Sequence, residues 1–156
     1  MDIQQVRIEA KRYLIYKRSI ATSEIHEREL YDTGFGKLSA YVEANNIKVT
    51  GAGTVLYFKW NEPQGRAEVA LAMPVSGVET VSNHELALFD APASKALLAV
   101  HKGGYDTLEK THTALMKHLS DHKLTYADLG IEEYVVSPMH DENRANWVTN
   151  VYYLYT

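Results

Sequence analysis

The sequence predicts an α+β fold of two duplicated β-α-β-β modules with pseudo-twofold symmetry, antiparallel sheets and a ligand groove between the halves. One observation behind this prediction is a set of apolar and glycine positions that recur 77 residues later. The recurring pairs are Leu38/Leu115, Val42/Leu119, Ile47/Leu124, Gly53/Gly130 and Tyr57/Tyr134. The other is that each set follows helical spacing and then enters a strand rich in β-branched and aromatic residues. A constant spacing across a helix and a strand indicates two copies of one supersecondary unit, and a junction between two copies is a common place for a ligand.

The first module contains a strand, a helix and a β-hairpin. Residues 12–16 have the composition of a strand, and the helix begins after Thr22 and Ser23, which can cap its first turn. Apolar residues at helical spacing extend this helix to about Asn45. The hairpin consists of strands at residues 54–60 and 68–75, with a turn signal at residues 61–65 between them.

The second module repeats this order. Residues 86–89 form an extra or lead-in strand that Pro92 interrupts, and residues 95–101 form the next strand. Asp106 or Thr107 can cap the following helix, which extends through Leu119. Strands at residues 131–136 and 147–155 enclose a longer hairpin loop. We therefore take residues 1–76 and 77–156 as two repeats of a single ligand-binding domain that covers residues 1–156.

The composition excludes several classes of protein. The net charge of −4, without a run of like charges, argues against direct nucleic-acid binding, because nucleic-acid binders usually carry a basic surface. The absence of cysteine excludes disulfides and thiolate metal ligands. No apolar stretch approaches 18 residues and no signal peptide follows Met1, so we expect no membrane span and a cytoplasmic location.

The sequence also lacks the common signatures of cofactor and metal sites. It contains no phosphate-binding or dinucleotide-binding glycine motif and no nucleophile-elbow motif. His118 and His122 have the i, i+4 spacing of a metal site, but the glutamate of the zinc-protease motif is missing. A solvated helix face explains this pair better, so we expect no cofactor and no metal.

Glu132 is the first candidate functional residue, because the two repeats disagree most sharply there. Its counterpart is Val55, so the fold accepts an apolar side chain at this position. Alternate residues of a strand share a face, which places Tyr134 beside Glu132. A partly buried carboxylate among aromatic rings can attract a lipophilic cation or act as a general acid or base. The alternative is an exposed residue at the sheet edge. Because neighbouring residues of a strand face opposite ways, only one of Glu132 and Glu133 faces the groove, and the sequence leaves open which one.

Further candidates come from the strands and turns around Glu132. Tyr57 offers a second aromatic wall on the equivalent face of repeat one, and Glu68 offers a second acidic group or a cross-strand ion pair with Arg66 or Lys59. Trp147 is either a stacking partner for a ligand or a core residue, and Asn150 shares a face with Tyr152 rather than with Trp147.

Two histidines complete the set of candidates. His101 ends an apolar strand before a glycine turn, where it is either a ligand donor or a satisfied turn residue. His112 replaces Phe35 of the first repeat on the apolar face of the helix, so we interpret it as a core histidine.

Three segments occur in a familiar order: HKGGYD at residues 101–106, EEYVVSP at 132–138 and WVTNVY at 147–152. They resemble the GyrI-like small-molecule-binding family, which is also the effector-binding domain of multidrug-responsive transcription regulators. The resemblance implies a groove that accepts bulky aromatic, often cationic compounds, with Glu132 in the position of the buried glutamate that opposes the cation. It places Trp147 and His101 in the pocket wall. The chain departs from the pattern at Asn150, where the family commonly has glutamate.

The leading functional hypothesis is a stand-alone binding protein for hydrophobic, aromatic and cationic small molecules, which would sequester them or confer resistance. An enzyme is the second hypothesis, since some relatives hydrolyse strained electrophilic rings. Glu132 would then position water, and Tyr134 or Tyr57 would polarise the leaving oxygen, although Asn150 in place of a carboxylate makes this less favoured. A third hypothesis, inhibition of a protein partner such as gyrase, and the formation of a homodimer are left open by the sequence.

Overall fold

The computed structural model describes residues 2–24, 28–59 and 65–156. The described strands are β1 (Ile3–Ile8), β2 (Lys11–Ala21), β3 (Lys48–Val49), β4 (Thr54–Lys59), β5 (Arg66–Ser76), β6 (Ala87–Ala91), β7 (Ser94–Lys102), β8 (Tyr126–Val136) and β9 (Val148–Tyr155). The helices are α1 (Arg28–Ala44) and α2 (Leu108–Asp121). Single turns of 3-10 helix lie at Thr22–Glu24, Tyr105–Thr107 and Arg144–Asn146. Trp60 and most of the predicted turn at residues 61–65 lie outside the described residues.

The chain divides into two compact units. The N-terminal unit comprises Ala10–Pro92, and the C-terminal unit comprises Ala93–Thr156 together with the residues up to Glu9. In the N-terminal unit the strands pair in the order β4-β5-β2-β6, with the short β3 on β5. In the C-terminal unit the order is β1-β7-β9-β8. All of these pairings are antiparallel.

The two units share one connectivity, which confirms the predicted duplication. Each has a long first strand, a helix and a β-hairpin whose last strand pairs with the first strand. Each also gains an edge strand on the free side of its first strand, β6 beside β2 and β1 beside β7. The fold is therefore a duplicated β-α-β-β arrangement with antiparallel sheets.

The edge strands move the limits of the units away from residues 76 and 77. The predicted lead-in strand around residue 88 is β6, and it completes the sheet of the N-terminal unit because it pairs with β2. β1 was not among the predicted strands, and it completes the sheet of the C-terminal unit because it pairs with β7. The groove between the halves and the single domain over residues 1–156 stay predictions.

Helix packing in the N-terminal unit depends on a glycine. Gly34 and Leu38 are the buried positions of α1. A Cβ atom at Gly34 would lie 2.7 Å from Cγ of Leu71 on β5, closer than carbon atoms pack in protein cores. The helix therefore approaches its sheet at a point where a side chain would not fit.

The C-terminal unit has the more amphipathic helix. Five residues of α2 are buried: Leu108, Thr111, His112, Leu115 and Leu119. Two of these five are polar, which is unusual for the buried face of a helix and directs attention to what they contact. Neither described helix is both long enough and apolar enough to cross a membrane.

Candidate functional site

A buried carboxylate lies at the centre of the C-terminal unit. Glu132 on β8 is 0 % exposed, so the alternative of an exposed residue at the sheet edge is wrong. It lies opposite Val151 of β9, and Tyr134 lies opposite Thr149. Directly opposite residues of an antiparallel pair point to the same face, so these four side chains share one face of the sheet. His112 of α2 reaches the same carboxylate.

The carboxylate is held from both sides by hydrogen bonds. The Tyr134 hydroxyl donates to Glu132 Oε1 at 2.7 Å, and Nε2 of His112 bonds to Glu132 Oε2. The other ring nitrogen of His112, Nδ1, lies 2.5 Å from the Tyr153 hydroxyl. These contacts form a continuous buried chain, Tyr153–His112–Glu132–Tyr134. We call these four residues the buried chain. Hydrogen bonds of this kind are what allow a carboxylate to remain ionised away from water.

Aromatic rings extend from the buried chain toward the surface. Tyr105 packs edge-to-face on Tyr134, with ring centroids 5.5 Å apart, and stacks on Trp147 at 5.0 Å. Both Tyr105 and Trp147 are half-buried. Burial and the nearby negative charge of Glu132 together raise the pKa of Tyr105 to about 12. Stacked rings beside a carboxylate offer both apolar contact and a cation–π surface.

Trp147 is anchored within the loop that precedes β9. Its indole Nε1–H donates to the Asp141 carbonyl at 2.8 Å. Asp141 in turn accepts from the Asn143 backbone N–H and the Asn146 side chain, which lowers the pKa of that carboxyl. The loop is therefore organised to hold the indole against Tyr105.

A second buried polar group lies on the same face as Glu132. The hydroxyl of Thr149 is fully buried and has no hydrogen-bond partner among residues 2–24, 28–59 and 65–156. Its neighbours in the sheet are Tyr134 on β8 and His101 on β7. A buried hydroxyl without a partner costs free energy unless another group, such as a ligand or water, satisfies it.

His101 lies on this face and uses both ring nitrogens within the unit. Nε2 lies 2.9 Å from the Gly104 carbonyl oxygen, so it carries the proton and donates. Nδ1 then accepts from the Thr111 hydroxyl at 3.0 Å. The ring ties the glycine turn to α2, as the turn-residue alternative supposes. In this position it supports the segment that carries Tyr105.

Asn150 does not join Glu132. It lies opposite Glu133, and its side-chain amide donates to Glu133 Oε1 at 3.0 Å. Because neighbouring residues of a strand alternate, this pair occupies the face away from α2. Tyr152 shares that face with Asn150.

Tyr57 and Glu68 belong to the N-terminal unit. Tyr57 is buried on β4, and Glu68 on β5 forms an ion pair with Lys17 of β2, with 3.1 Å between nitrogen and oxygen. β2 runs beside β5 and brings Lys17 within reach of Glu68, and the side chain of Lys59, one of the two expected ion-pair partners, lies outside the described part of the structure. Arg66 instead donates to the Ser19 carbonyl at 2.8 Å.

Sequence reasoning missed the role of His112. It is buried, as a core histidine would be, but it contacts Glu132 and Tyr153 rather than apolar neighbours alone. The signal was present: His112 and Glu132 are two positions where the repeats differ, with Phe35 and Val55 in repeat one. Considered together, the two differences between the repeats predict a contact between His112 and Glu132, which neither difference predicts alone.

The other histidine pair and the hollow in the N-terminal unit offer less chemistry. The His118 and His122 rings stack at 3.9 Å near solvent, and the part of the chain that the structure describes contains no cluster of three metal-ligating side chains. A solvent-open hollow of about 260 Å³ in the N-terminal unit is lined by Tyr16, Ile20, Glu24, Glu29, Leu30 and Thr33. Both of its carboxylates are exposed, so it holds no desolvated charge.

Comparison with known proteins identifies the fold. The family model of the GyrI-like small molecule binding domain matches residues 1–155. No curated protein matches the sequence of this chain.

Solved proteins of low identity share this architecture, among them EcmrR, SAV2435 and a hydrolase from Listeria innocua. The C-terminal domain of EcmrR is 16 % identical, with a TM-score of 0.78 and coverage of 99 % of this chain and 97 % of that domain. The EcmrR chain in the EcmrR–DNA complex is longer, and it is 17 % identical with a TM-score of 0.80. The match covers 99 % of the present chain but only 57 % of that EcmrR chain. SAV2435 bound to tetraphenylphosphonium is 11 % identical, with a TM-score of 0.74, and the match covers 100 % of this chain and 94 % of SAV2435. A hydrolase from Listeria innocua is 9 % identical, with a TM-score of 0.61 and coverage of 99 % and 91 %.

Proposed function

The chain belongs to the GyrI-like small-molecule-binding domain family, and from this premise we propose that it binds hydrophobic aromatic molecules, preferentially cations. The observation that carries this proposal is the fully buried Glu132, which is hydrogen-bonded to Tyr134 and His112 and lies near the Tyr105–Trp147 stack. The protein would then act by sequestering its ligand.

A buried carboxylate is a costly feature that the fold does not require. Removing an ion from water costs several kcal/mol unless a partner compensates, and repeat one packs Val55 at the equivalent position. A lipophilic cation is suited to such a site, because its rings bury apolar area while its charge meets the carboxylate. The unpartnered Thr149 hydroxyl supports the same interpretation, as it offers a polar contact on that face.

The structural neighbour SAV2435 supplies the probe for a test, because it has been solved bound to tetraphenylphosphonium. We expect wild-type protein to bind tetraphenylphosphonium with a dissociation constant near the micromolar range, about −8 kcal/mol. The E132Q variant should bind it at least about tenfold more weakly, a loss of about 1.4 kcal/mol. Isothermal titration calorimetry measures both values.

The E133Q variant is the matched control for this experiment. Glu133 is the neighbouring carboxylate, but it faces away from α2 and bonds to Asn150, so we expect its substitution to change the affinity by less than about twofold. Equal losses in E132Q and E133Q would indicate a general effect of charge and would refute a site at Glu132. Absence of any binding to wild type would refute the proposal as a whole.

Hydrolysis of strained electrophilic rings is the second candidate, favoured by one observation. The Glu132 carboxylate is bonded to both a phenol and an imidazole, groups that can move protons during hydrolysis. Turnover of a cyclopropane-bearing genotoxin separates the two functions: a hydrolase releases ring-opened product faster than buffer does, whereas a sequestering protein only binds. A protein partner such as gyrase and a homodimer stay predictions.

A further inference from the structure

Thr149 carries a fully buried hydroxyl that has no hydrogen-bond partner in the described part of the chain. Its neighbour on β7 is His101, and both ring nitrogens of that histidine bond to other groups of the unit. Its neighbour on β8 is Tyr134, whose hydroxyl donates to Glu132. A threonine hydroxyl can both donate and accept a hydrogen bond. Thr149 therefore offers both functions at a place that is shielded from water.

The N-terminal unit has valine at the equivalent position. Tyr57 and Tyr134 are equivalent residues of the two units, and they lie opposite Val69 and Thr149 respectively. Val69 is buried as well, and valine differs from threonine mainly by the missing hydroxyl. A buried hydroxyl without a partner costs free energy. Thr149 therefore adds to the scaffold a polar group that the N-terminal unit does without.

The Thr149 hydroxyl lies close to Glu132 on the same face of the sheet. Glu132 is opposite Val151, two residues after Thr149, so Glu132 and Thr149 are diagonal neighbours. The Cβ atoms of diagonal neighbours lie about 7 Å apart. Trp147, two residues before Thr149, stacks on Tyr105. A ligand that contacts these rings and the carboxylate would therefore bring an adjacent group within reach of Thr149.

We propose that Thr149 determines which aromatic cations this site prefers, by forming a hydrogen bond to a polar group next to the positive charge. The preferred ligand is an aromatic cation with a hydroxyl, ether, amide or amine group near its charge. A cation made of hydrocarbon groups alone covers the Thr149 hydroxyl and leaves it unpaired, whereas a ligand with such a polar group satisfies it. This inference rests on the proposed cation-binding function.

Two phosphonium ions of equal charge and nearly equal shape test the inference. The first is (2-hydroxyethyl)triphenylphosphonium, and the second is propyltriphenylphosphonium, which has a methyl group in place of the hydroxyl. We expect wild type to bind the hydroxyethyl probe about three- to tenfold more tightly, the range for one neutral hydrogen bond. Isothermal titration calorimetry gives both dissociation constants, and their ratio is the preference to be compared among variants.

Three variants assign this preference to the Thr149 hydroxyl. T149V introduces the residue of the N-terminal unit, so it should lose the preference and bind the propyl probe at least as tightly as wild type. T149S keeps a hydroxyl and should keep the preference. T54V is the matched control: it makes the same substitution at a buried threonine of the N-terminal unit, whose hydroxyl donates to the Ala52 carbonyl. It should leave the preference unchanged.

The stability of the ligand-free protein is a second measurement that a purely structural threonine would move in the opposite direction. T149V removes a buried hydroxyl without a partner, so the melting temperature should rise by about 2–4 °C. T54V removes a hydroxyl that is bonded, so its melting temperature should fall. A T149V protein that melts below wild type, or does not fold, would contradict the inference.

The binding outcomes separate this inference from the proposed function. If wild type binds both probes equally and the affinity falls in E132Q, the role of Thr149 is overturned while cation binding at Glu132 stands. Retention of the wild-type preference in T149V would overturn it as well. If wild type binds neither probe, both proposals fail.

Discussion

At the scale of single residues, the site is defined by where two equivalent units differ. Glu132 and His112 occupy the positions equivalent to Val55 and Phe35, and they form a hydrogen bond between β8 and α2. The hydroxyl groups of Tyr153 and Tyr134 bond to His112 and Glu132 respectively. The chemistry of the site is therefore added to a core that remains tightly packed.

Loss of one donor to Glu132 should be measurable as a loss of stability. Y134F removes the hydroxyl that donates to Oε1 at 2.7 Å, so we expect the free energy of unfolding to fall by about 1–3 kcal/mol, the cost of a hydrogen bond to a buried charged group. Urea denaturation followed by circular dichroism measures this. Y152F, on the other face of the sheet, should change stability by less than about 0.5 kcal/mol. If Y134F had the same free energy of unfolding as wild type, the Glu132 carboxylate would not depend on the Tyr134 hydroxyl for its stability, which would contradict this prediction.

At the scale of secondary-structure elements, Gly34 allows a close approach of α1 to its sheet. A glycine inside a helix ordinarily costs about 1 kcal/mol relative to alanine, so its presence in α1 needs a compensating reason. The 2.7 Å between an added Cβ and the fully buried Leu71 supplies that reason. Gly36, on the same helix, has no neighbour within 4 Å of such a Cβ among the residues that the structure describes.

The two glycines therefore predict opposite effects of the same substitution. G34A should lower the free energy of unfolding by about 1 kcal/mol or more, since overpacking outweighs the gain in helix propensity. G36A should raise it by up to about 1 kcal/mol. Thermal and urea unfolding of both variants measure the difference, and equal effects would disprove the close contact with Leu71.

The order of elements could be predicted from periodicity, but their edges could not. Helical spacing and the 77-residue recurrence predict α1, α2 and both hairpins. β1 was missed because polar and apolar side chains alternate only weakly over residues 3–8. This is typical of an edge strand, which pairs with one neighbouring strand only. Its pairing with β7 is a long-range contact that no local pattern encodes.

The site was predicted in part for a related physical reason. Glu132 and Tyr134 share a strand, so parity alone placed them together, and this is how they lie. His112 reaches Glu132 through the packing of a helix on a sheet, which depends on rotation of α2 about its axis. Asn150 and Glu133 face away from α2 because of the register between β8 and β9. A shift of that register by one residue would turn these side chains to the other face, and the sequence alone does not determine the register to that precision.

At the scale of the whole molecule, buried tyrosines make stability depend on alkaline pH. Burial raises the pKa of Tyr105, Tyr126 and Tyr153 above the ordinary value of about 10. A group with a raised folded-state pKa holds its proton longer in the folded than in the unfolded chain. Its contribution is therefore complete below about pH 10 and is lost as pH rises through the folded-state value.

We accordingly expect the free energy of unfolding to fall steadily above about pH 10, with tyrosinate absorbance at 295 nm lagging behind that of the urea-unfolded protein. Y126F is the informative variant, because the buried Tyr126 hydroxyl has no hydrogen-bond partner among the described residues. It should be as stable as wild type or more stable at pH 7, with a shallower alkaline loss. A profile that is flat to pH 11.5 would contradict this account.

The placement of β1 has a consequence for how the polypeptide reaches its native state. Ile3 pairs with Ala99, so the edge strand β1 can join the sheet of the C-terminal unit only after most of the chain has been synthesised. Until β7 has been synthesised, β1 lacks the strand that it pairs with, and its backbone amide and carbonyl groups are a template for association with other chains. A nascent chain stalled before that closure would thus be vulnerable to aggregation at one defined border.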